Sequence, residues 1–560
     1  MSGLARSSLS VRRLLSVALT KAITIVLAGL SSLPPALAEP VTVSALPDAG
    51  GVELPLKDGA VELALQTAYS LSLSRNLDLR VQRYDVAIAD DSAAAAFGIF
   101  DPAFSLVNRQ SRSDSATSTS LAGASVLETK TQDYSLGVTQ LLPIGTALSV
   151  GATMTRTENN SFFYSVNPSY AAGLSASLVQ PLLKGFGTAP TRAGIIVAKN
   201  TRQQSSAAFA LKVVSTLQLL EHTYWDLIAA REAMQVKEQS RDLARKLRDQ
   251  TAERIRVGAA AKIDIVQSEA GVAVREQELI AARNVAASRE DELKRILGFA
   301  SPEEWAATIR ISETLETTEV HPELNAAIAT AMNQRPEIHQ QLLAVETLKL
   351  SAKVSRNARL PKLDLDAQYG WGGLGGDVKV YDSETGEVID VLPGGVNDAW
   401  RQIRDRDFPH WSVGLTLSVP ILNRQARAGA RQKQHELERG MAQMDALRQL
   451  ITTEVRAAVR ALEDGAALLQ AAKASLHLAE RNLEAEQVKF ANGLSTSFQV
   501  LEIQKALAEA QLNELTARVA YRRSLVAYRV AAGTMLEEAA VKIIDPAAPD
   551  LPWNVGGAGH

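Results

Sequence analysis

The sequence predicts a mainly α protein with membrane-type β-strands, built from a duplicated unit of helix, strands, long helix, glycine turn and helix. An internal repeat, two-residue alternation in the short segments and seven-residue periodicity in the long ones carry that prediction.

The repeat sets the organisation. Ser74-Arg75-Asn76-Leu77-Asp78-Leu79 pairs with Asn333-Gln334-Arg335-Pro336-Glu337-Ile338, a shift of 259, and the stretch from Phe100 to Leu106 pairs with Leu360 to Leu365 near the same shift. Gln180-Pro181-Leu182-Leu183 answers Val419-Pro420-Ile421-Leu422, and Arg256-Val257-Gly258 answers Ala491-Asn492-Gly493 at a shift of 235. The expected layout is a first repeat over 61–300, with strands within 101–181 and a helical hairpin over 190–298 turning at 256–264. A second repeat over 301–535 has strands at 361–370 and 410–420 and a hairpin over 424–535 turning at 491–499.

The strands alternate with period two. Leu363, Leu365, Ala367 and Tyr369 interleave with Lys362, Asp364, Asp366 and Gln368; Trp411, Val413, Leu415 and Leu417 interleave with Ser412, Gly414, Thr416 and Ser418. One greasy face and one small or polar face suit a barrel wall between lipid and water, although a soluble sandwich strand alternates too. The first repeat offers strands at Ala103–Arg109, Tyr134–Leu142, Ile144–Arg156 and Tyr170–Gln180. The wall contribution is therefore four strands, or six if the hairpin turning at Pro143–Thr146 joins it. A sheet edge cannot lie open in lipid, so such strands require other subunits.

From about Ala193 to Val257 and Arg424 to Asn492 the chain is nearly free of proline and rich in helix formers. About 65 residues make a rod of roughly 100 Å. Val455, Leu462, Leu469, Leu476, Leu483 and Phe490 recur at seven-residue intervals, a coiled-coil seam; Val213, Leu220, Leu227 and Met234 repeat the spacing.

The ends and the composition narrow the class. Residues 1–38 read as a secretory signal, with Arg6, Arg12, Arg13 and Lys21 before a short apolar core and an Ala36-Leu37-Ala38 cleavage site. An extended segment follows over 39–60, and a Pro- and Gly-rich tail over 536–560 is expected to be flexible. There is no cysteine, which excludes disulfides, thiolate metal sites and a lipidated cysteine. Of 59 basic residues the signal removes four, leaving 55 against 62 acidic ones, a balance of −7 that argues against nucleic acid as partner.

Four motifs in order, duplicated and separated by heptad helices, resemble the TolC-like outer-membrane efflux family across nearly all of the chain after the signal. They are Gln180–Gly185 and Val419–Arg424 at the strand-to-helix corners around Pro181 and Pro420, Arg254–Gly258 running on to Val266, and Phe490–Gly493 running on to Leu501. The resemblance implies a trimer in the outer membrane of a Gram-negative bacterium: a shared β-barrel and a coiled-coil tunnel through the periplasm, the passive duct of a tripartite efflux or type I secretion system. It assigns Val257, Gly258, Ala259, Asn492, Gly493 and Leu494 to tips that meet a periplasmic adaptor linked to an inner-membrane pump. It assigns Asp264, Gln499 and Glu502 to the constriction at the tunnel mouth. Gln499 departs from the acidic pattern there, and Ser495 stands where an arginine latch is found.

Other readings are weaker. Lys184-Gly185-Phe186-Gly187 lacks the phosphate-cradling pattern and reads as a corner. The seven histidines show no metal-ligand spacing, and no nucleophile and base share a motif, so no metal, cofactor or enzymatic activity is expected. The stretch from Trp371 to about Asp407 reads as an extracellular insertion. The alternatives are a periplasmic coiled-coil scaffold or adaptor without a channel, and a secreted enzyme on a coiled-coil stalk.

Overall fold

A computed structural model describes residues 56–57, 59–119, 123–161, 163–258, 261–315, 319–381 and 387–543. The expected signal, residues 39–55 and residues 544–560 lie outside them.

The duplication is visible residue by residue. Helix α1 (Leu65–Arg75) precedes α2 (Leu77–Ala95), and 259 positions later α6 (Leu324–Gln334) precedes α7 (Pro336–Asn357). The two joints use different chemistry for one geometry. Asn76 accepts from the Leu79 amide at 3.1 Å, a side-chain cap, whereas the second copy places Pro336 at the first helical position, where a missing N–H costs nothing.

Between α2 and the long helix α3 (Thr188–Arg256) come β3 (Ala103–Ala116), β4 (Val126–Leu141), β5 (Ala147–Asn159) and β6 (Val166–Pro181). Between α7 and α9 (Arg424–Ala491) come β8 (Lys362–Tyr381), β9 (Val388–Leu392), the short helix α8 (Val396–Asp405) and β10 (Phe408–Ser418). Six long strands make one antiparallel sheet in the order β10-β8-β6-β5-β4-β3, with β9 added beside β8. All six strands therefore belong to one sheet.

The pairing register sorts the faces. Phe104, Val138, Val150, Ala176, Tyr369 and Trp411 stand opposite one another in turn across the sheet, and the adjacent row reads Ser105, Gly137, Gly151, Ser175, Gly370 and His410. One face is greasy on every strand. On β10 it is bare, with Trp411 72% and Leu415 67% exposed.

Two expectations need correction. The strand expected to end near residue 370 runs to Tyr381, so the stretch after Trp371 is not an irregular loop: it continues as β8, β9 and α8. The reason is local. β10 ends opposite Gly372, and beyond it Gln402 of α8 donates to the Leu374 carbonyl at 3.0 Å and accepts from its amide at 2.8 Å, so one side-chain amide stands in for the missing strand. Ala399 and Ile403 of α8 are buried with Ala172 on the sheet's greasy face. The second correction concerns the tail. Met535–Glu538 form a helix, α11, and Met535, Ala539 and Ile543 lie in the main core, so the chain stays packed to residue 543.

The long helices run 69 and 68 residues and fold back through α4 (Ile263–Ile296) and α10 (Ser497–Ala532). Val455, Leu462, Leu469, Leu483 and Phe490 of the seam are buried, with Leu476 half-buried. At mid-height a small sheet of β1 (Leu56–Lys57), β2 (Ala60–Leu63) and β7 (Thr308–Ile311) joins the largest core. β7 follows the one-turn helix α5 (Pro302–Ala306).

Beside that core Glu221 is buried and fully engaged. It accepts from the Tyr69 hydroxyl at 2.7 Å and the Trp225 indole at 3.2 Å, and Arg529 lies 3.6 Å away. Burial and the adjoining carboxylate push the Tyr69 phenol up, so it remains a donor. Removing one donor from a buried carboxylate costs about 1–3 kcal/mol. Tyr69→Phe is therefore expected to lower the thermal midpoint of the detergent-purified protein, read by circular dichroism; an unchanged midpoint would show that the clamp carries no stability.

Candidate functional site: the helical tips and strand-to-helix corners

Each tip must reverse a helix within a few residues. α3 ends at Arg256, and Gly258 follows with φ +78°, its amide donating to the Ile255 carbonyl at 3.0 Å. α9 ends at Ala491, and Gly493 follows with φ +76°. There the Gly493 amide reaches the Phe490 carbonyl at 3.1 Å and the Leu494 amide reaches the Lys489 carbonyl at 2.9 Å, the paired bonds of a Schellman ending. A Cβ on either glycine would meet nothing within 4 Å, so backbone conformation and not space demands glycine. Val257 and Leu494 project at these ends, 64% and 78% exposed, and Asn492 is exposed beside them. Ala259 lies outside the described residues.

Of the two returning helices, α10 starts on a side-chain cap. Thr496 and Gln499 form a capping box: the Gln499 amide donates to Thr496 Oγ1 at 3.3 Å and the Thr496 amide donates to Gln499 Oε1 at 3.3 Å. Asp264, at the matching position of the first tip, accepts from the Ala261 amide at 3.1 Å. Two of the three residues expected at the constriction thus turn back onto their own helix starts. Glu502, one turn further on, is exposed.

Two features of the tips escaped the sequence. Arg254 of α3 lies over the Phe490 ring at 4.6 Å and donates to the Phe490 carbonyl at 3.2 Å, tying one tip to the other. Phe490, Val500 and Leu501 share a core with Val272, Ala244 and Leu247 from the first hairpin. The clue was Phe490's place as the last heptad position, but nothing in the pattern named its partner. Ser495 bonds Glu486 and donates to Gln499 Oε1 at 3.0 Å. The Ser495 hydroxyl, then the Lys489 ammonium at 3.1 Å, hold the Glu486 carboxyl below the usual carboxylate range. The shift is downward, so this link is intact at neutral pH and is lost as pH falls through the lowered value.

At the other end of the rods the corners are cross-tied. Pro181 closes β6 opposite Asp364, and Pro420 lies exposed between β10 and α9. Asn357, the last residue of α7, accepts from the Gly185 amide at 2.7 Å and donates to the Leu183 carbonyl at 3.2 Å. Asn423, with φ +42°, donates to the Arg359 carbonyl at 2.9 Å. Both strand-to-helix handovers are thereby fixed to the end of α7.

This geometry defines a class: a duplicated protein whose greasy-faced antiparallel sheet passes through fixed corners into coiled-coil rods ending in glycine tips. Residues 327–534 match the outer membrane efflux protein family. The chain is 22% identical over 316 residues to outer membrane protein TolC of Escherichia coli K12, a stretch covering 56% of this chain and 60% of that protein. It is 22% identical to TolC of Vibrio cholerae serotype O1, over 61% of this chain and 73% of that one. The match thus spans less than two thirds of the E. coli relative. Its fold is similar to the outer-membrane channel OprN (TM-score 0.61, 15% identity, 84% of this chain and 90% of that one) and to the Campylobacter jejuni CmeC channel (TM-score 0.60, 16% identity, 84% and 85%). Residues 327–534 thus carry the outer membrane efflux protein domain, and the chain has the fold of the outer-membrane channels it resembles.

Loss of a side-chain cap costs about 1 kcal/mol of local stability, roughly fivefold in an opening equilibrium. Thr496→Ala is expected to speed amide hydrogen exchange over Ser497–Leu501 by about that factor while leaving Ile263–Gln267 unchanged. Equal exchange in both segments would remove the cap as the element that holds this tip.

Proposed function

We propose that the protein is the exit duct of a tripartite efflux or type I secretion system, a passive homotrimer coupled to a periplasmic adaptor and an inner-membrane pump. The observation that carries this reading is the continuity from a sheet with one greasy face and two unpaired edges into rods of about 100 Å. A sheet with open edges cannot sit in lipid alone, so copies must complete it. Rods this long suit a periplasmic conduit more than a membrane anchor.

In this reading Val257, Gly258, Ala259, Asn492, Gly493 and Leu494 form the adaptor-facing rim. The exposed Val257 and Leu494 side chains support that role, since apolar groups bared at a helix end gain from being covered. Asp264, Gln499 and Glu502 line the mouth. Asp264 and Gln499 shape it through their hydrogen bonds to the helix starts, and Glu502 supplies charge: three symmetry copies make a ring of carboxylates that favours cations. No step of the duct's work needs a catalytic group, because the pump supplies the energy.

Single-channel recording in planar bilayers tests the reading. Wild type is expected to open as a cation-preferring channel, and Glu502→Gln is expected to bring its cation-to-anion permeability ratio toward unity. An unchanged ratio would remove Glu502 from the mouth. A protein absent from outer membranes and silent in bilayers would sink the duct in favour of the scaffold.

A further inference from the structure

The sheet holds two strands more than a four-stranded contribution, and they sit in its middle. β4 and β5 lie between β3 and β6, paired along essentially their whole length on both sides. Their apolar residues Val138 and Val150 stand level with Ala176 and Tyr369, so the greasy face crosses them without a break. The turn that joins them is pinned at the corner: the Gly187 amide donates to the Ile144 carbonyl at 3.2 Å, and a Cβ on Gly145 would come within 3.0 Å of the Gly185 carbonyl. The hairpin is therefore held at the same level as the strands that lead into the rods.

The unpaired edges are β3 and β10. β3 runs away from the helices and β10 runs back towards them, so β3 of one copy beside β10 of the next is antiparallel, like every other pair in the sheet. The helical layer opens at the same two places. α2 packs on α3, α3 on α7 and α7 on α9, leaving α2 and α9 at the ends, and these are the helices that enter β3 and leave β10. On α2, Leu77, Val81, Tyr84 and Ile88 make a bare stripe at helical spacing. Met441 and Leu450 are bare on α9, on opposite flanks of its buried seam, so one of them is free to meet such a stripe.

We propose that the β4–β5 hairpin is a wall element and that three copies close one barrel of eighteen strands, through a β3–β10 seam continued below the membrane by α2 against α9. Six strands from each of three copies give that number. The partner on these edges is a second copy of this chain, and the inference rests on the trimeric duct proposed above. An eighteen-stranded barrel is roughly one and a half times as wide as one closed by four strands per copy and holds an aqueous channel.

Cryo-electron microscopy of the full-length protein in lipid nanodiscs reads the strand count directly. Eighteen strands around a threefold axis are expected. Twelve, with β4–β5 outside the wall, would overturn this inference and leave the trimeric duct standing; any other symmetry would overturn both. Because the chain has no cysteine, the seam can also be read in outer membranes. Leu106→Cys combined in turn with Val413→Cys, Leu415→Cys or Leu417→Cys is expected to give an oxidised ladder ending at three copies for at least one pair. The Leu106→Cys single variant should stay monomeric on a denaturing gel. No ladder from any pair would overturn the β3–β10 seam.

Discussion

A strand in lipid must find a partner for every backbone N–H and C=O, and the architecture follows from that requirement. Among the six long strands five pairings satisfy it, and they leave two edges, β3 and β10, that no element among the described residues covers. Everything near those edges keeps them able to meet another copy. The strand number is even, so the edges run in opposite directions. The helices repeat the lateral order of the strands, so a contact made in the sheet is in line with one made below it. Where β10 stops short, Gln402 satisfies the exposed backbone of β8.

The second constraint is mechanical. A sheet and rods joined by a free linker would move independently of one another. The corners answer this with backbone-directed side chains. Asn357 bonds both sides of the Gly185 turn, and Asn423 bonds back to Arg359. Both amides come from positions where the chain leaves or enters a helix, so the sheet and the helical layer share their fixed points. The Tyr69–Glu221–Arg529 cluster plays the same part at mid-height, tying the start of the chain to its last helices through a carboxylate that burial makes costly to leave unpaired.

Much of this was legible because it is periodic. The 259-residue shift paired the joints at Asn76 and Arg335, period two marked the strands, and period seven marked the seam. What periodicity could not carry was termination. β8 reads as finished near residue 370 because glycines follow, yet Gly373 and Gly375 are there to admit α8 close to the strand, a contact set by Gly395 and Ala399. The start of the tail, residues 536–543, shows the same limit. Its prolines signal an irregular chain, but Met535 and Ile543 pack on the core, and composition does not reveal a docking site.

The tips show where a resemblance reaches its limit. Matching positions assigned Asp264, Gln499 and Glu502 one role, yet their side chains do different work. Asp264 and Gln499 are committed to the first turn of their helices, where a glutamine serves as well as an acid because only an acceptor oxygen is needed. The loss of charge at 499 therefore costs the fold nothing. Ser495 follows the same logic: it holds Glu486 within its own hairpin, while Arg254 bridges the two hairpins through Phe490. The contacts that close this end of the protomer are thus drawn from residues either side of the turn, and the turn itself is left bare for whatever it meets.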